Sequence, residues 1–148
     1  VRTKGFSRKE PAMATLTKSD YSIVLKKAKD AGELAAMAVV PEPMVVFDAH
    51  LGGAPIAGGK TYYVSSGACG FGIIRIKPAN SGFAKWLKAQ GIAYPDSYHG
   101  GLVFHAHPEC VRGTINAQSV EINGAYAYAF AKVLRDYGIS AYAETRLD

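Results

Sequence analysis

The sequence predicts an α+β fold, a two-layer α/β sandwich with a ferredoxin-like variant as one form of it, preceded by an N-terminal helical segment. Three observations predict it. From residue 69 onward the chain alternates strand, helix, strand, helix, strand, each bounded by glycine, proline or a capping residue. The three strands alternate at period two and so have one apolar side each. The two intervening helices each carry an apolar stripe at helical spacing, suited to cover those sides.

At 148 residues, 49% hydrophobic and 20% charged, the chain suits one soluble domain. The net charge of +5 is concentrated at the start. Residues 1–18 hold Arg2, Lys4, Arg8, Lys9 and Lys18 against Glu10, which is +4 and leaves 19–148 almost neutral. We therefore read 1–16 as a flexible basic arm and 17–148 as a single α+β domain. Met13 stands directly before the first helix and is an alternative start. No run reaches the roughly 18 apolar residues of a membrane span, so no membrane partner is expected. Residues 1–16 show no signal-peptide pattern, and Cys69 and Cys110 make no disulfide framework; a cytoplasmic setting with reduced thiols is therefore expected.

The elements follow in order. "TKSDYSIVLKKAKDAGELAAMAV" is helical, capped by Thr17 or Ser19, with Tyr21, Val24, Leu25 and Ala28 on one stripe. Gly32 is expected to interrupt it. Met44–Phe47 is a short strand, and a glycine-rich loop follows before the strand-like "TYYVSS". The "GGKT" at 58–61 is no phosphate loop, because its spacing is wrong and no helix follows to hold an anion. "CGFGIIRIKP" is a strand stopped by Pro78. "ANSGFAKWLKAQG" is a helix capped by Asn80 or Ser81. "GGLVFHAHP" is a strand stopped by Pro108. "SVEINGAYAYAFAKVLRDYG" is a long helix capped by Ser119 and closed by Gly138, and "ISAYAETRLD" is the last strand.

Period two sorts the strand faces. Ile74, Ile76, Leu102, Phe104, Ala141 and Ala143 point to the helices. Arg75, Lys77, His105, His107, Tyr142, Glu144 and Arg146 point to the opposite, uncovered face. If the strands are neighbours, Arg75, Lys77, His105, His107, Tyr142 and Arg146 form an open binding surface. Cations with aromatics suit an anionic ligand, a nucleic-acid strand or a host or phage protein. His105 and His107 could also chelate one metal ion as an H-x-H pair, but zinc would need a third ligand from Glu109, His99, His50 or Cys110. No nucleophile elbow is present, Cys69 has no local partner to lower its pKa, and no motif asks for a cofactor. These residues point to a binder rather than an enzyme; a metal-dependent hydrolase using His105 and His107 is the catalytic alternative.

The stretches "IKPANSGFAKWL", "YHGG" at 98–101 and "AYAYAFAKVLRDYGISAYAETRLD" resemble a family of small, uncharacterised proteins of tailed phages and prophages. The resemblance spans about residues 43–148. It implies a phage-encoded, non-enzymatic binding protein of the host cytoplasm, or alternatively a virion component such as a capsid-decorating or neck protein. Members of that family have an aromatic, apolar and serine-containing strand in place of "FHAHP", which implies that the fold does not need the histidine pair.

Overall fold

The computed structural model describes residues 16–148. All but Leu16 of the segment read as a basic arm lies outside those residues. Leu16 itself packs against the edge of the core.

Helix α1 (Lys18–Met37) begins at Thr17, whose N–H donates to the Asp20 carboxylate at 2.8 Å. Gly32 does not interrupt it. The helix runs unbroken to Met37, because Gly32 is buried beneath the ring of Tyr126. A Cβ at Gly32 would stand 2.8 Å from two ring carbons of Tyr126, so the glycine sets how closely two helices approach. Sequence alone reads such a glycine as a breaker; its partner lies far along the chain.

Strands β1 (Met44–Phe47) and β2 (Thr61–Val64) pair as a separate antiparallel hairpin, joined by the glycine-rich loop. The four-stranded sheet and its helices then follow: β3 (Gly70–Ile76), α2 (Gly82–Ala89), β4 (Tyr94–Pro95), β5 (Leu102–His105), α3 (Val120–Asp136) and β6 (Ala141–Leu147). The sheet order is β4-β5-β3-β6, with every pair antiparallel. A strand–helix–strand–strand–helix–strand path with that order is the ferredoxin-like arrangement. The expected α+β two-layer sandwich is therefore the observed fold. The short β4, hidden in "AYPDSY", is the strand that the sequence pattern does not reveal.

The predicted caps are largely in place. Ser81 accepts from the Ala84 N–H, and Ser119 from the Ile122 N–H at 3.3 Å. Gly138 closes α3 at a φ of 82°, a conformation costly for a side chain. The core lies between the helices and one sheet face, with Val24, Ile74, Ile76, Phe83, Leu87, Leu102, Ile122, Phe130 and Leu134 buried. Trp86 and Val133 are only partly buried; Trp86 tilts against Tyr21 and Phe83 at the margin. Helix α3 lies directly on β3 because Gly72 has no side chain, where a Cβ would stand 2.2 Å from the Asn123 carbonyl oxygen.

Candidate functional site

The face of the sheet opposite the helices follows from the strand registers. Residues directly across an antiparallel pair share a face. Arg75 stands between Val103 and Tyr142, Ile73 between His105 and Glu144, and Phe71 beside Arg146. Tyr94 extends the first row from β4. The expected constellation on β3, β5 and β6 is thus brought together, but not as a row of free cations.

Arg75 is the principal correction. It is only 4% exposed. Its Nε and Nη2 donate to the Glu144 carboxylate at 2.6 and 3.2 Å, and its Nη1 donates to Asp96 at 2.9 Å and to the Gly100 carbonyl at 2.6 Å. The 96–101 loop closes over this end of the sheet. Asp96 shapes that loop through an Asx turn, accepting from the N–H groups of Tyr98 and His99. The His99 amide, then Arg75, and after them the Tyr98 amide hold the Asp96 carboxyl well below its usual range. The Arg75 hydrogen bond likewise holds Glu144 down, and Glu144 in turn raises Arg75. The guanidinium thus braces the 96–101 loop and β6 to β3 through charge-assisted hydrogen bonds.

A Cβ at Gly101 would stand 2.8 Å from Lys77 Cγ and 3.4 Å from Arg75 Cγ, so Lys77 lies beside Arg75 under the same loop. It lies beyond the end of β3 and lines a separate groove with Tyr21, Pro78 and Tyr137. Strand β5 ends at His105, so His107 lies past it and is exposed. Tyr142 keeps its place on the open face and is partly exposed beside Arg75.

What remains on the face is an aromatic cluster with one cation. The Arg146 guanidinium lies over the Phe71 ring, 5.2 Å from its centroid. The His105 ring tilts against Phe71 at 5.4 Å and against Tyr94 at 6.4 Å, with the Tyr94 hydroxyl 3.4 Å from His105 Nδ1. Burial, and then the neighbouring His107 and Arg146, lower the His105 pKa, so its imidazole is neutral near pH 7. Tyr94, His105 and Arg146, with Glu144 and Asp96, wall a cleft of about 510 Å³ that also touches Ile73 and Val103; Phe71 lies beside it and does not line it. No ion pair to Arg146 occurs among the described residues.

A second cleft of about 620 Å³ lies on the other side of Tyr94 and His105, between the sheet edge and α1. His107, Glu33, Glu109 and Tyr126 line it. Glu33 is engaged there, accepting from the Glu109 and Cys110 N–H groups at 2.6 and 3.1 Å. Burial, with the nearby Glu33 and Glu109, pushes the Tyr126 phenol up to about 12. The Cys110 thiol is also raised, by burial and by Glu33, which disfavours the nucleophilic thiolate. Among the described residues no three His, Cys, Asp or Glu side chains converge to hold a metal ion. The rings of His105 and His107 are 6.4 Å apart.

Sequence reasoning missed Phe71, Tyr94 and Asp96. Phe71 shares its parity with Ile73 and Arg75 and could have been placed by alternation. Tyr94 and Asp96 reach the face only because the chain turns back through β4, which no periodicity announces. No family profile, curated protein or solved structure matches this chain.

Proposed function

We propose that this is a phage-encoded, non-enzymatic binding protein of the host cytoplasm, and that its open sheet face binds a nucleotide or single-stranded nucleic acid. The observation that carries the reading is Arg146 lying over Phe71 with His105 against the same ring. Aromatic faces on an exposed antiparallel sheet stack bases, and an adjacent guanidinium meets the phosphate. Arg75 is part of the scaffold in this reading, since Glu144 and Asp96 occupy its donors. The anionic end of the ligand therefore falls to Arg146, and its base to Ile73 and Val103. Fluorescence polarisation with labelled oligo(dT) tests it. Arg146→Ala should weaken binding at least about tenfold by removing the phosphate contact, and Phe71→Ala should weaken it in the same direction by removing the ring that seats the guanidinium. An affinity unchanged in both variants would exclude this face.

The hairpin favours the virion component as a second reading. Val45, Val46, Phe47, Tyr62 and Tyr63 are all exposed on a two-stranded hairpin that joins no larger sheet among the described residues. Such hairpins are marginal alone in water, and an assembled neighbour would cover this one. Detection of the protein in purified particles by mass spectrometry would support that reading.

A further inference from the structure

Strand β6 is an outer edge of the sheet, and its free backbone groups are defined by the bonds on its other side. The Lys77 N–H donates to the Ser140 carbonyl, and the Asp148 N–H to the Cys69 carbonyl. Hydrogen-bonded residues alternate along an antiparallel pair, so the even-numbered residues of β6 bond to β3. The N–H and C=O groups of Ala141, Ala143, Thr145 and Leu147 consequently point outward. The first of these is covered: Arg135 on α3 donates to the Ala141 carbonyl at 2.9 Å. Among the described residues, the open stretch of edge is Ala143 to Leu147.

We infer that this stretch pairs with the same stretch of a second copy, antiparallel about a two-fold axis through Thr145, to form a dimer with one continuous sheet. The register follows from the edge itself. Placing Thr145 opposite Thr145 sets Ala143 opposite Leu147, and those pairs use the outward groups that Arg135 leaves open. The same register sets Glu144 of each copy directly opposite Arg146 of the other on the open face, with opposite charges in both places. Centring the pair on Ala143 would set Ala141 opposite Thr145 and require the carbonyl that Arg135 holds. It would also replace the charge pairs by Tyr142 against Glu144. The two-fold interface is isologous, so one complementary register satisfies both halves.

The side chains along the edge suit that partner. Leu147 is 67% exposed, and the register lays it against Ala143 of the second copy. A Cβ at Gly124 of α3 would stand 2.7 Å from the Thr145 Cγ2, so α3 lies beside the edge there. Tyr128, one helical turn further and 54% exposed, extends the same stripe toward Arg135. An exposed edge of this length without proline or an inward charge is a natural pairing template. The inference is independent of the nucleotide reading. Arg146 has five N–H donors, so a partner carboxylate leaves others for a phosphate.

Sedimentation equilibrium of the full chain tests the dimer, with cross-linking to test its register. The wild type should sediment at twice the 15.7 kDa of the chain. Thr145→Pro removes an N–H that the protomer does not use, and should raise the dimer dissociation constant about 100-fold while circular dichroism stays native. Arg146→Glu sets acid against acid and should give monomer even if the proline variant fails to fold. With Cys69 and Cys110 replaced by serine, Thr145→Cys should form an intermolecular disulfide under mild oxidation and Ala143→Cys should not. A wild type monomeric at every concentration overturns the inference. So does a dimer that persists in folded Arg146→Glu, or one that cross-links through residue 143 instead of 145.

Discussion

Glu144 on β6 holds Arg75 on β3 through two guanidinium nitrogens, at 2.6 and 3.2 Å, and the pair turns the most basic-looking strand position into a neutral one. Asp96 adds a second carboxylate from the loop, which leaves the three groups with a net charge of −1. The relationship is diagonal across the two strands, because Arg75 stands directly opposite Tyr142.

Arg75→Ala is therefore expected to destabilise the domain rather than silence a binding face. Removing one member of a buried pair leaves uncompensated charge, and costs about 3–5 kcal/mol in such settings. Glu144 and Asp96 retain some solvent, which places the expected loss at the lower end, about 3 kcal/mol. Urea unfolding followed by circular dichroism measures it. A loss under about 0.5 kcal/mol, the usual surface value, would mean that the brace contributes nothing.

Acid should unfold the protein in two phases. Glu144 and Asp96 titrate below their usual range in the fold, so the stability they supply is complete above the unfolded carboxylate values of about 4 and is lost as pH falls through their folded values. His105 is also lowered, by burial first. The unfolded chain then takes a proton near pH 6.5 before the fold does, so stability begins to decline there as pH falls. Melting temperatures recorded from pH 8 to 3 should show a shallow fall starting near pH 7 and a steeper one below about pH 4. His105→Asn should remove the first phase alone. A melting temperature flat from pH 7.5 to 5 in the wild type would contradict the assignment of His105.

Gly32→Ala is expected to destabilise although alanine favours helices by about 1 kcal/mol. The added Cβ would sit 2.8 Å from Tyr126 ring carbons, and the ring is packed against Phe130. Overpacking of this kind costs about 1–3 kcal/mol. Chemical denaturation measures the change, and a stabilised variant would show that Tyr126 moves aside freely.

What the sequence carried was local. Period two on β3 and β6 sorted Ile74 from Arg75 and Ala143 from Glu144 correctly, and the Ser81 and Ser119 caps fell where their helices start. Alternation gives a direction and not a degree of exposure, which is why Arg75 could be placed on the open face but not recognised as buried. Its partners come from a loop 21 residues away and a strand 69 residues away, separations no spacing rule reaches. Gly32 misled for the same reason: its role is a close approach to Tyr126, visible only once α1 and α3 are packed.

The cleft beside Phe71, Tyr94, His105 and Arg146 is the proposed seat of a base and its phosphate. Titrating the 15N-labelled protein with a thymidine mononucleotide and with oligo(dT), followed by amide chemical shifts, tests it most directly. Saturable shifts should centre on Phe71 to Ile73, Tyr94, His105 and Glu144 to Arg146, with tighter binding of the oligonucleotide and weakening by added salt. Shifts confined to the 44–64 hairpin, or no shifts with either ligand at millimolar concentration, would contradict it.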